Sequence, residues 1–77
     1  MPTLFNSDGF KFFFYANEHL PKHVHVTYGD CWAKIELGTF KVVYSTLKWQ
    51  ELRRCLEIAR TNNADFEEKW DEWFAGR

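Results

Sequence analysis

The chain has 77 residues, 19% of them aromatic, and its 10 basic and 11 acidic residues give a net charge of −1. This length has room for one domain with a small core, because so short a chain buries only about 60% of the surface that its unfolded form exposes. The near-neutral charge excludes a protein held to DNA by a general basic field, and the apolar content excludes a disordered chain.

The N-terminal segment and the cysteines indicate a cytoplasmic protein. The first residues contain neither the basic region nor the apolar region of a secretion signal, and no apolar run approaches the roughly 18 residues of a membrane span. We therefore expect no membrane contact and no disulfide. Cys31 and Cys55 are expected to be reduced thiols, and they lack the CxxC spacing that would indicate a zinc ribbon.

Up to Tyr44 the apolar residues recur with a period near two, which predicts β-strands. The turn signal Asn6-Ser7-Asp8-Gly9 separates two apolar runs and predicts an N-terminal hairpin. Two further turns are predicted, each of two residues, at Gly29-Asp30 and Gly38-Thr39. They separate three predicted strands, over 23–28, 31–37 and 40–44, which form a meander.

The two-residue turns also predict the register of the meander. Val26 then lies opposite Ala33, and Val24 lies opposite Ile35, on an apolar face that Val42 and Tyr44 share. The opposite face carries His23, His25, Thr27, Trp32, Lys34, Glu36, Lys41 and Val43. A slip of one residue would mix the two faces, so this separation supports the register. The predicted register pairs His23 with Glu36, and His25 with Lys34.

After Tyr44 the period changes to about 3.6, which predicts two helices. Ser45 or Thr46 is the expected N-cap, and Asn62-Asn63 separates the two helices. The second helix has a single aromatic stripe of Phe66, Trp70, Trp73 and Phe74. The predicted fold is α+β and forms a single domain over 1–77. An antiparallel sheet of four to five strands over 1–44, a hairpin plus the meander, precedes two helices over 45–77 that pack on one face.

All three histidines fall within seven positions, and His23 and His25 project from the same side of one predicted strand. We expect a local cluster of Glu18, His19, His23, His25, Lys34 and Glu36. Phe13, Tyr15 and Trp32 are expected to form its apolar floor.

Three interpretations of this cluster compete. In the first, it is a solvated face with cross-strand charge pairs. In the second, it binds or converts a ligand without a cofactor, with His23 and His25 as acid and base and Lys34 holding a phosphate. In the third, His19, His23 and His25 bind a divalent metal ion.

Two other surfaces suggest partners. The strand around Phe13 and Tyr15 is apolar on both sides, so that a second copy, a cognate protein or a loop is expected to cover it. Arg53, Arg54 and Arg60 form a small basic patch on the first helix. The acidic second helix offsets this patch, so we find no strong signal for DNA binding.

The stretch FFFYANEHLPKHVHV at 12–26 resembles the signature of a family of small bacterial proteins, the domain-of-unknown-function family DUF4160. That family typically begins Met-Pro-Thr and then reads F-x-x-Y-x-N-E-H-x-P-P-H-V-H-V. The resemblance covers nearly the whole chain, including the helical, aromatic-rich end. One departure is visible, because Lys22 stands where a second proline is usual.

The resemblance implies a small cytosolic bacterial protein, although the family has no established activity. Its members often lie beside a second small domain, as in toxin–antitoxin pairs, which implies a cognate protein partner. We therefore expect a toxin-like component that acts on RNA through His23, His25 and Lys34. The expected binding residues are Asn17, Glu18, His19, Glu36, Phe13, Tyr15 and Trp32. The alternative is a non-catalytic interaction module, or a small metal-binding protein, in which the histidines are structural.

Overall fold

The computed structural model describes residues 3–15 and 19–74 of the chain. The described elements are β1 (Thr3–Ser7), β2 (Phe10–Phe13), β3 (His23–Tyr28), β4 (Cys31–Glu36), β5 (Val42–Ser45), α1 (Trp49–Thr61) and α2 (Asn63–Phe74). The strands form one antiparallel sheet in chain order. The predicted α+β fold, a hairpin and meander followed by two helices, is confirmed. Neither described helix has the length and apolar character needed to cross a bilayer.

Two-residue turns connect β1 to β2 and β3 to β4. Asp8 and Gly9 both have positive φ angles, of 53° and 85°, as a tight two-residue hairpin turn requires. They bring Ser7 opposite Phe10. At the next hairpin of the meander, Gly29 also has a positive φ, of 59°, and Tyr28 lies opposite Cys31 as predicted. The chain therefore reverses where the turn residues indicated.

The register of β3 and β4 is the predicted one over its whole length, including His23 opposite Glu36 and His25 opposite Lys34. The predicted two-residue turn at Gly38-Thr39 is wrong, because β4 ends at Glu36, whose carbonyl accepts from the Phe40 N–H, and β5 begins only at Val42. Ile35 still lies opposite Val42 as predicted, but the register then shifts so that Lys34 lies opposite Tyr44. The shift leaves one extra residue, Val43, on β5. The prediction that Tyr44 shares the apolar face is therefore wrong, because this bulge turns it to the other side.

The helices cover one face of the sheet, which we call the inner face. Its buried side chains from the strands include Phe10, Phe12, Val24, Val26, Ala33 and Ile35. From the helices, Cys55, Ile58, Ala59 and Phe66 pack against them. The ring of Phe66 lies 5.3 Å from that of Phe12 and 6.2 Å from that of Phe5, centroid to centroid. The aromatic stripe of the second helix therefore supplies part of the core, as predicted.

The first helix begins later than predicted. Ser45 ends β5, and Lys48 is the N-cap. The Lys48 N–H donates to Glu51 Oε1 at 2.9 Å, which closes one half of a capping arrangement. Trp49 is consequently the first helical residue, and its side chain is 71% exposed.

The two thiols are expected to differ sharply in reactivity. Both are free, but Cys55 is buried in the core, and burial raises the pKa of its thiol to about 12, whereas Cys31 is partly exposed. Because the thiolate is the reactive form, iodoacetamide should alkylate Cys31 first and Cys55 only as the protein unfolds. Mass spectrometry of the labelled peptides, with and without urea, tests this. Equal labelling of both thiols in the native protein would contradict the described burial.

Candidate functional site

The face of the sheet opposite the helices, which we call the outer face, brings the predicted site residues into rows. One row crosses four strands through Phe13, His25, Lys34 and Tyr44. Beside it lies the pair of His23 and Glu36. On the other side of this row, Lys11, Thr27 and Trp32 lie opposite one another. The rows follow directly from the register, since side chains alternate between faces along each strand.

The two strand histidines are buried, which the sequence pattern did not predict. His23 is 5% exposed and His25 is 8% exposed, although both lie on the face without helices. The interpretation of the cluster as a solvated face is therefore wrong for these two rings. His19, in contrast, is exposed.

Aromatic rings enclose His25. The Phe13 ring is stacked on it at 5.7 Å, and the Tyr15 ring meets it edge to face at 4.7 Å. The His23 ring approaches from the end of the strand at 5.2 Å. Of the three residues expected as an apolar floor, Phe13 and Tyr15 thus pack on His25, and Phe13 is itself buried within the chain. This packing holds the His25 ring in one orientation against His23.

His23 connects the sheet to the second helix. Its ring lies 5.2 Å from that of Trp70 on α2, centroid to centroid. Its Nδ1–H donates to the carbonyl oxygen of Pro21 at 2.9 Å. Because a carbonyl can only accept, this bond keeps a proton on Nδ1.

A cavity of about 280 Å³ opens at this end of the outer face. Its lining residues are His19, Leu20, Pro21, His23, Lys34, Glu36 and Val43. Glu36 is held there by a hydrogen bond from the Thr39 hydroxyl to its Oε1 at 2.9 Å. The cavity therefore combines an imidazole, an ammonium and a carboxylate, the groups expected of an acid–base site that binds an anion. His25 does not line it.

One predicted member of the floor lies elsewhere. Trp32 was expected beside Phe13 and Tyr15, but its ring packs edge to face on Tyr44 at 4.9 Å. The row of His25 and Lys34 lies between Trp32 and His23, and the bulge at Val43 gives Trp32 a different aromatic neighbour, Tyr44. The expected binding residues Asn17 and Glu18 lie outside the described residues.

Within residues 3–15 and 19–74, no three histidine, cysteine, aspartate or glutamate side chains lie close enough together to hold a metal ion. His19 and His23 both line the cavity, whereas His25 stands behind it among the rings. The predicted metal site would need the three histidines to converge on one point, and the described arrangement does not bring them there.

The loop before β3 is anchored to the helix by Lys22. Its Nζ lies 2.8 Å from Asp71 Oδ1 and 3.8 Å from Glu67 Oε1, both on α2. The hydrogen bond to Asp71 raises the pKa of Lys22. The residue that departs from the family pattern thus makes its own contact with α2, close to Trp70. The sequence pattern did not predict that Trp70 would also contact His23.

Charge is distributed unevenly although its sum is near zero. Along the outer face, the register places Lys11 and Lys34 on the strands and Lys41 opposite Glu36. Five of the carboxylates stand on α2, the helix whose Phe66 packs on the inner face: Asp65, Glu67, Glu68, Asp71 and Glu72. Lysines therefore outnumber carboxylates on the described outer face, which favours an anionic ligand there.

Comparison with known proteins supports the family suggested by the signature at 12–26. The family model described as "Domain of unknown function (DUF4160)" matches residues 9–71, from the first hairpin turn to the second helix. Neither the curated proteins nor the solved structures include a match to the chain. Since the matched segment spans most of the sequence and all three histidines, the chain belongs to the DUF4160 family.

Proposed function

We propose that this protein binds single-stranded RNA on the outer face and cleaves it in the cavity beside His23. The observation that carries the proposal is the lining of that cavity, which includes His23, Lys34 and Glu36. An imidazole and a carboxylate provide two groups for proton transfer, and the ammonium provides a contact for a phosphate.

The reaction that suits these groups is transfer of the phosphodiester to the neighbouring 2′-oxygen of the RNA. A bond forms between O2′ and phosphorus as the bond between phosphorus and O5′ breaks, which gives a 2′,3′-cyclic phosphate and a 5′-hydroxyl. One of the pair His23 and Glu36 takes the proton of the 2′-hydroxyl, and the other gives a proton to the leaving O5′. Lys34 holds the phosphate oxygens. No water or metal ion is consumed in this step.

His25 has a different part in this proposal from the one expected. The sequence pattern pairs it with His23 as acid and base, but its ring is enclosed by Phe13 and Tyr15 and does not line the cavity. We assign it to positioning the His23 ring, 5.2 Å away. Glu36, which lies opposite His23, takes its place as the second proton-transfer group.

The proposal includes a biological role. A toxin-like component of a toxin–antitoxin-type pair in the bacterial cytoplasm would degrade cellular RNA until its cognate protein bound it, which agrees with what the resemblance implies. Expression of the chain alone is then expected to slow bacterial growth, and co-expression of the cognate protein is expected to relieve the effect.

The cleavage test uses an end-labelled single-stranded RNA with EDTA present. The wild-type protein should produce fragments ending in a 2′,3′-cyclic phosphate, because the proposed step needs no metal. Replacing Lys34 with alanine should reduce cleavage at low RNA concentration about 10- to 100-fold, as expected for the loss of a charged contact to phosphate. The matched control is Lys69→Ala on α2, which removes a lysine that pairs with Asp65 at 3.9 Å.

Three outcomes would contradict the proposal. In the first, the wild-type protein leaves the RNA intact. In the second, Lys34→Ala and Lys69→Ala reduce cleavage equally. In the third outcome, EDTA abolishes cleavage and zinc restores it, which would support the metal site predicted for His19, His23 and His25.

A non-catalytic protein-interaction module is the second candidate, and the burial of His25 favours it. A ring packed on three neighbours, as this one is, is typical of a structural histidine. This candidate expects the cognate protein to co-purify with the chain and expects the complex to survive His23→Asn unchanged, with no RNA cleavage by either protein.

A further inference from the structure

The outer face carries an exposed aromatic pair that the cavity does not use. Trp32 is 50% exposed and Tyr44 is 38% exposed, and their rings meet edge to face with centroids 4.9 Å apart. The pair exists because the bulge at Val43 brings Tyr44 opposite Lys34 on the outer face. Because the two rings are in contact, they form one contiguous exposed apolar patch, unlike a single exposed side chain, and such patches mark interaction sites.

The pair lies directly beside the proposed phosphate contact. Tyr44 is the cross-strand neighbour of Lys34, which lines the cavity. Trp32 is two residues from Lys34 on β4, about 7 Å along the strand and on the same face. A ligand with an anionic group at Lys34 could therefore extend over both rings without leaving the sheet.

Backbone hydrogen bonds fix the strand segment that carries Trp32. The Trp32 N–H donates to the Thr46 hydroxyl oxygen at 2.9 Å, and the Thr46 N–H donates to the Trp32 carbonyl oxygen at 2.9 Å. These bonds extend the pairing of β4 and β5 beyond Ser45. The two rings are therefore carried by paired strands of the sheet rather than by a loop, as a precise binding surface requires.

Charge complementarity decides which ligand fits. The register places Lys11 in the row of Trp32 and Lys34 in the row of Tyr44. Flat rings beside regularly placed cations match the alternation of bases and phosphates in a single strand. A duplex offers its phosphates to such a surface but keeps its bases stacked inside.

We propose that Trp32 and Tyr44 form a stacking platform for the bases of single-stranded RNA that lie next to the phosphate at Lys34. This inference rests on the proposed function, because it assumes that RNA reaches the outer face. It adds a selectivity that the cavity alone does not provide, namely a preference for unpaired bases.

The experiment measures binding apart from cleavage. A short, fluorescein-labelled 2′-O-methyl RNA has no 2′-hydroxyl to attack the phosphate, so fluorescence anisotropy reports affinity alone. Trp32→Ala should weaken binding of this single strand roughly 5- to 150-fold, as is typical for the loss of one stacked base. Trp32→Phe, which keeps a ring, should restore most of the affinity. Binding of a blunt duplex of the same sequence should change little.

Trp49→Ala is the matched control. Trp49 is also an exposed tryptophan, but it lies at the start of α1 and not on a strand. Its removal should leave the affinity unchanged. Thermal unfolding monitored by circular dichroism should show that both variants are folded, since each tryptophan is at least half exposed.

The outcomes separate the platform from the cleavage site. If Trp32→Ala binds the single strand as tightly as the wild type does, and the wild type cleaves ribose RNA, the platform is overturned and the proposed function stands. Binding that depends on Trp32 without any cleavage of ribose RNA would support the platform and overturn the proposed reaction. Equal losses of RNA affinity in Trp32→Ala and Trp49→Ala would overturn the platform. It would also be overturned if Trp32→Ala still bound RNA like the wild type but no longer co-purified with a cognate protein.

Discussion

Replacing His23 with asparagine is expected to lower the rate of RNA cleavage about 10²- to 10⁴-fold, the range typical for the loss of a proton-transfer group. The asparagine amide can still donate a hydrogen bond near the position of Nδ1, where His23 donates to the Pro21 carbonyl. It has no counterpart of Nε2. The substitution therefore removes the proposed chemistry and keeps the contact that holds the side chain in place.

The control for this prediction is His25→Phe. A phenyl ring can keep the packing on Phe13 and Tyr15, so a positioning residue should tolerate it with less than about a tenfold loss. The pH dependence of cleavage provides a second measurement. One limb of the pH–rate profile should disappear in His23→Asn and persist in His25→Phe, because a group that transfers a proton contributes an ionisation to the profile. A profile that loses the limb in His25→Phe alone would reverse the two assignments.

Replacing Phe66 with alanine is expected to destabilise the fold by about 3–5 kcal/mol, the usual cost of truncating a buried phenylalanine. Phe66 is fully buried and packs on Phe12 and Phe5, so its removal leaves a cavity between α2 and the hairpin. Small domains are stable by only about 5–15 kcal/mol, and a chain of this length lies toward the lower end. Urea unfolding monitored by circular dichroism measures the change.

Two variants make the Phe66 prediction specific. Phe66→Leu retains most of the apolar volume and should cost less than Phe66→Ala. Trp49→Ala removes an even larger ring from a position that is 71% exposed, and should change the free energy of unfolding by no more than about 0.5 kcal/mol. A larger loss for Trp49→Ala than for Phe66→Ala would mean that α1 and α2 pack differently from the description above.

The register of the central hairpin, β3 and β4, was predictable from the sequence, whereas the bulge in the last strand, β5, was not. A tight turn at Gly29-Asp30 and strict alternation leave one pairing of β3 and β4 that separates polar from apolar side chains. In β5 the sequence Val42-Val43-Tyr44 is apolar at every position, so alternation gives no signal for an inserted residue. The bulge at Val43 and the resulting outer position of Tyr44 became visible only once the strands were paired.

At the histidine site, too, some features were predictable from the sequence and others were not. Spacing along β3 predicted that His23 and His25 share a face, and the turns predicted Glu36 and Lys34 as their neighbours. Burial was not predictable, because it depends on groups far away in the chain. Trp70, which lies 47 positions after His23, meets its ring at 5.2 Å. The difference between a ring that lines the cavity and one that lies behind it is therefore a tertiary property.

By itself, the sequence determined the kinds of element, their order, the central register and the total charge, because turn chemistry and side-chain periodicity are local and charge is additive. The tertiary structure decided how that charge is distributed. Strand pairing places Lys11, Lys34 and Lys41 on the outer face, whereas five of the carboxylates stand on α2, the helix that packs on the inner face through Phe66. A chain with a net charge of −1 thereby presents a lysine-bearing face, since a ligand responds to the local field of the surface it meets.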